Sequence, residues 1–204
     1  TTKIFREINP ANSGVTEDDY FTKDSQAITY YGTNDVGDFL IPQVAPYREY
    51  IFPLGLNSSF EAIRKSGLNW PDEYGDEDGK PEAMSLVATV SVAGFEDVTV
   101  PAGTYANAAK IVANVVISLI LSGDGATATE TITSTEWYVS GVGLVKSISV
   151  VQIVAYDITD TTTTTEELTS FIPSFASINA GGSHSCGLAA NGKAYCWGSN
   201  TLGQ

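Results

Sequence analysis

The chain has 204 residues, with 10 Lys and Arg against 24 Asp and Glu, one His, two Cys and a formal charge of −14. An ordinary apolar fraction of 43% excludes wholesale disorder. The acidic excess argues against a nucleic-acid partner, which demands clustered cations, and one His with two Cys leaves little material for a His/Cys metal centre.

Residues 1–40 alternate polar clusters with short aromatic or β-branched runs, such as Lys3 to Ile8 and Ala27 to Tyr31. These predict short strands separated by turns at Asn9-Pro10, Asn12 to Gly14 and Gly32 to Asp35. Pro42, Pro46 and Pro53 make Ile41 to Gly55 an extended, irregular passage. Asn57 to Lys65 is the best helix on propensity, capped by Ser58 or Ser59 and ended by Gly67, although its alternation also admits a strand. Pro71 to Glu82 carries six carboxylates with two Gly and two Pro, and reads as a solvated loop.

From Ser85 the apolar period becomes two. Leu86, Ala88, Val90 and Val92 share one strand face. Ile111, Ala113, Val115, Ile117, Leu119 and Leu121 share a face of the next strand. Val112, Val116 and Ile120 on its reverse predict burial on both sides. Gly123 to Gly125 turns the chain into a Thr-rich strand, Ala126 to Ser140. Gly141 to Gly143 turns it again into a long strand, Leu144 to Thr159. Long strands joined by tight Gly turns give a curved antiparallel meander. The five-Thr run, Thr161 to Thr165, either extends that sheet as an edge or starts a linker. A change of composition near Pro173 divides the chain into a β domain, 1–172, and a Gly-rich tail, 173–204. The fold class is therefore mainly β with little helix.

The tail resembles the opening of a regulator-of-chromosome-condensation repeat, the blade unit of a β-propeller. The matching residues include Gly181, Gly182, His184, Ser185, Cys186, Leu188, the Asn191-Gly192 turn, Cys196, Trp197, Gly198, Asn200 and Gln204. Asn191-Gly192 is a hairpin turn. Cys186 and Cys196 lie five residues to either side of Asn191, opposite one another at a separation a disulfide spans. Their spacing fits neither a redox C-x-x-C pair nor a zinc site, and the expectation is a structural disulfide in an oxidising compartment. A repeat of this kind is roughly twice as long, and a propeller needs several. The expectation is that the chain is part of a longer polypeptide. Chromatin binding is not carried over, because fold does not imply function and the charge has the wrong sign.

A second, looser resemblance covers residues 20 to 158 and rests on FEDVTVPAGTYANAAKI, Phe95 to Ile111, and TEWYVSGVGLVKS, Thr135 to Ser147. These motifs are similar to an uncharacterised domain of secreted bacterial proteins and lipoproteins. That resemblance implies a half-barrel sheet like those of lipoprotein carriers, with an N-terminus that is also trimmed and an unpaired sheet edge.

No catalytic triad can be built around His184, the only imidazole, which the repeat motif assigns to packing. The chain is expected to have no cofactor and no enzymatic activity. Asp72, Asp76 and Asp78 in the acidic loop are the candidate calcium ligands, with a solvated loop as the plainer reading. Trp70, Trp137 and Tyr138, with Tyr30-Tyr31, are candidate groove-lining aromatics, against the plainer reading of core residues. No segment reaches membrane-spanning length, since the run Ile111 to Leu121 is about half of one.

The leading functional expectation is a secreted or cell-surface bacterial protein, possessing no catalysis, that acts in adhesion, scaffolding or binding of a protein or surface-glycan partner. One alternative is a periplasmic or surface carrier of a lipid or other apolar ligand. Another is a subunit of an extracellular fibre that self-assembles through open sheet edges.

Overall fold

The computed structural model describes residues 2–9, 15–72, 77–171, 175–180, 184–189, 192 and 194–198. Strands β1 (Thr2–Asn9), β2 (Val15–Lys23) and β3 (Ala27–Thr33) come first. A single helical turn, α1 (Ile41–Val44), precedes β4 (Tyr47–Ile51). Then follow β5 (Ser59–Trp70), β6 (Glu82–Val100), β7 (Gly103–Ile120), β8 (Thr127–Val139), β9 (Gly143–Ala155) and β10 (Ile158–Glu167). The tail adds β11 (Phe175–Ala180), β12 (His184–Ala189) and β13 (Ala194–Gly198).

Every neighbouring pair is antiparallel. The strands form a four-stranded sheet β1-β2-β3-β4, a six-stranded sheet β10-β9-β8-β7-β6-β5 and a three-stranded sheet β11-β12-β13. The sheets are curved but not closed into a barrel. The expected mainly-β meander is thus present, with a strand hairpin at the C-terminus.

The six-stranded sheet is a pure meander because each connection is a tight turn. Gly125, Gly141 and Gly143 have positive φ, which suits them to the turns predicted there. The strand predicted from Leu144 to Thr159 instead ends at Ala155. Tyr156 and Asp157 adopt φ of 49° and 62°, the two consecutive left-handed residues of a tight hairpin. The Thr run resolves as edge strand β10, paired without a bulge from Ile158↔Ala155 to Glu167↔Lys146.

The helix predicted over Asn57 to Lys65 is replaced by β5. Pairing along β6 outweighs helix propensity, and two register shifts, at Glu61/Ile63 and Ser66/Leu68, keep its apolar residues facing inward. The only helix among the described residues is α1, inside the passage expected to be irregular. Pro42 stands at its start, where a missing N–H costs nothing.

The main core lies on one face of the six-stranded sheet. Leu68, Met84, Leu86, Ala88, Ile117 and Leu119 are buried there against Val44 of α1. Leu86 and Met84 are each 2% exposed, so the predicted inward face of β6 is correct. The expected double-sided burial of β7 is not. Val116 is 36% and Ile120 55% exposed, because the second layer covers only the other face of this part of the sheet. A smaller cluster on that reverse face gathers Val98, Val100, Ala108, Trp137 and Val145 where the β6–β7 and β8–β9 ends curl over.

In the tail, β12 and β13 pair in the register Cys186↔Cys196, and the two cysteines form a disulfide with Cα atoms 4.1 Å apart. The predicted bridge is present.

Candidate functional site

The second layer over the six-stranded sheet is the four-stranded one, and a bulge sets how it faces inward. β3 and β4 pair as Ile28↔Tyr50 and then Thr29↔Arg48, so Glu49 is the extra residue. Tyr47 and Tyr50 consequently share the face of Tyr30 and Ile28. Tyr30 stacks between Phe21 at 5.0 Å and Tyr47 at 5.4 Å, and its hydroxyl donates to Asp19 Oδ1 at 2.8 Å.

On the facing sheet, β7 and β8 pair as Ala109↔Tyr138 and Ile111↔Glu136, which places all four side chains on one face. The two layers meet there. The Tyr50 hydroxyl donates to Glu136 Oε2 at 2.8 Å and lies 2.9 Å from the Tyr138 hydroxyl. The two rings pack edge to face at 5.6 Å.

Beside this contact the layers diverge into an open cleft of about 660 Å³. Its apolar walls include Ile28, Phe52 and Leu54 from the smaller sheet's side, and Phe95, Ala109 and Ile111 from the larger. Residues 139–143, at the β8–β9 turn, also line it. Among the described residues Lys23 is the one charged group in the lining, and its ammonium sits 5.6 Å from the Phe52 ring centroid. This volume is within the usual range for small-molecule sites.

Next to the cleft, the carboxylates of Glu49 and Glu136 crowd with the phenols of Tyr47, Tyr50 and Tyr138. Burial, then Glu136 and Asp19, pushes the Glu49 carboxyl up to about 7. Burial raises the Tyr50 phenol well above its ordinary range, with Tyr138 and Glu136 adding to the effect. Burial likewise raises Tyr138 and Tyr47.

The predicted groove aromatics do not converge. Tyr138 lines the cleft. Trp137, its neighbour on the strand, projects to the opposite sheet face, where it is 7% exposed and donates from Nε1 to Glu96 Oε1 at 2.7 Å. Lys110 and Lys146 lie over its ring at 5.2 and 5.9 Å. Trp70 stacks on Phe39 beside the main core. Tyr31 is 51% exposed and does not line the cleft. Lys23, Tyr50, Glu49 and Glu136 were not singled out in the sequence. Glu136 carried the one available signal, an acid at an inward position of an alternating strand.

The two described calcium candidates, Asp72 and Asp78, bond to other groups of the chain. Asp72 Oδ1 accepts from the Gly79 N–H at 3.1 Å. Asp78 accepts from Ser122 Oγ at 2.8 Å and pairs with Lys80 at 3.1 Å. Asp76 lies outside the described residues. Among the described residues no three His, Cys, Asp or Glu side chains are grouped to hold a metal ion. Glu82, fully buried, accepts from the Ser122 N–H at 2.5 Å through one carboxyl oxygen only.

Comparison with known families agrees with both resemblances. A DUF3108-like family model matches residues 73–168, which include β6 to β10. A Regulator of chromosome condensation (RCC1) repeat model matches residues 175–204. No curated protein and no solved structure matches the chain. The disulfide is compatible with an extracellular or periplasmic location. No helix among the described residues is long and apolar enough to cross a membrane.

Proposed function

We propose that the chain is a non-enzymatic binding module of an exported bacterial protein, and that it carries an apolar small molecule in the cleft between its two larger sheets. The observation that carries this reading is the cleft itself. A binding module with a filled core has no use for an open, apolar-walled space of about 660 Å³. The walls place Ile28, Leu54 and Ile111 around the space, and the Tyr50–Glu136 contact holds the layers together on one side.

Titration with an uncharged solvatochromic dye tests the reading. Saturable blue-shifted emission is expected, and Leu54→Trp, which narrows the cleft, is expected to abolish it with the folded spectrum retained. Equal dye binding by wild type and variant would refute the cleft as the site.

A second reading, partner binding in adhesion, scaffolding or fibre assembly, is favoured by β10. This edge strand is exposed at all ten positions, lacks Pro and Lys, and pairs with β9 without a bulge. Such an edge accepts an added strand. RCC1-type repeats often serve protein interaction, which supports the same reading. Size-exclusion chromatography over a concentration series tests self-assembly. Thr162→Lys with Thr164→Lys is expected to suppress any dimer, and concentration-independent monomer would oppose the fibre form.

A further inference from the structure

The geometry points to a long-chain monocarboxylate as the ligand, its carboxylate paired with Lys23 at the rim and its tail laid inward along Ile28, Leu54 and Ile111. The inference rests on the apolar-ligand reading above and adds the headgroup and the direction of binding.

Among the described residues Lys23 is the only charged one lining the cleft, in a chain whose net charge is −14. It is exposed, and among the described residues no carboxylate pairs with it. The nearest acid in the chain, Asp24, is turned into its own loop. It accepts from the Gln26 and Ala27 N–H groups at 2.7 and 2.8 Å, and these bonds hold its carboxyl below its ordinary range. A lysine laid over an aromatic ring with its ammonium in water is the arrangement that marks a polar–apolar boundary.

The opposite side of the contact fixes orientation. Glu136 pairs across the strands with Ile111, and Glu49 lies near enough to feel its charge. An anionic head driven inward would approach the charge of Glu136 behind the lining Tyr50, whereas an apolar tail meets Ile111 and Phe95. The head therefore stays at Lys23. One ammonium, with no Arg among the described lining residues, suits a singly charged carboxylate. A phosphate monoester recruits guanidinium forks or several N–H donors.

The test is displacement of the uncharged dye at pH 8 by palmitate, hexadecanol and hexadecyl phosphate, on wild type, Lys23→Gln and Lys23→Arg. Palmitate is expected to displace at about tenfold lower concentration than hexadecanol, the value of one charge-assisted contact. Lys23→Gln is expected to close that gap and Lys23→Arg to keep it. Equal potency of acid and alcohol on wild type would overturn the inference while leaving the cleft reading intact. So would a gap that survives Lys23→Gln, or a preference for the phosphate. Absence of dye binding to wild type would remove the cleft reading and the inference together.

Discussion

The Tyr50 hydroxyl donates to Glu136 Oε2 at 2.8 Å across 86 residues of chain, joining the four-stranded sheet to the six-stranded one. Tyr50→Phe deletes this donor, removes the 2.9 Å partner of Tyr138, and leaves the Glu136 carboxylate short of a bond in a half-buried position. A hydrogen bond to a charged group contributes roughly 1.5–3 kcal/mol. Urea unfolding of Tyr50→Phe is expected to show a loss in this range with an unchanged slope. An unaltered midpoint would mean that the layers are joined elsewhere.

Glu49 makes stability fall as pH rises. Its carboxyl titrates near 7 in the folded chain, against an ordinary value of 4.5, because burial and then the charges of Glu136 and Asp19 disfavour ionisation. Between these values the folded state holds a proton that the unfolded state releases, so stability declines through pH 4.5 to 7 and levels above it. Glu130, raised by burial, acts in the same direction. Glu49→Gln is expected to flatten the profile and to raise the melting temperature at pH 8 more than at pH 4.5. A larger gain at the lower pH would contradict the assignment.

The main core depends on Leu86, which is 2% exposed between Met84 and Ala88 on the covered face of β6. Leu86→Ala removes buried methyls and leaves a cavity, at a cost of about 2–5 kcal/mol. Val116→Ala, on the 36% exposed reverse face, is expected to cost far less. Thermal denaturation of the pair checks which side of the sheet carries the core.

The Cys186–Cys196 bridge closes a loop with a sequence separation of 10. By loop entropy such a bridge contributes about 2–3 kcal/mol. Among the described residues no strand of the three-stranded sheet pairs with another sheet. Reduction is expected to release amide-exchange protection in β12 and β13 while β6 to β9 stay protected. Loss of protection throughout would show that the tail stabilises the larger sheets.

Much of this architecture was legible because it is local. The two-residue period of Leu86 to Val92 and Ile111 to Leu121 located the central strands, and the Asn191-Gly192 midpoint set the cysteine register. The Tyr156-Asp157 turn was hidden, since neither residue advertises positive φ as Gly does. In β5 two bulges broke the alternation and left helix propensity as the louder signal. The cleft was least legible. It depends on which face of one sheet meets which face of another, and on the Glu49 bulge that turns Tyr50 toward Tyr138. A repeating period reports neither, so Trp137 and Tyr138 were read together although the strand separates them onto opposite faces.

Native mass spectrometry of the protein isolated from its own source tests the central claim most directly. A bound apolar ligand predicts an added mass of a few hundred daltons, roughly that of one molecule filling a cleft of small-molecule size, which is lost on denaturation and absent from Leu54→Trp. A bare polypeptide mass, with no gain after incubation with palmitate, would contradict it.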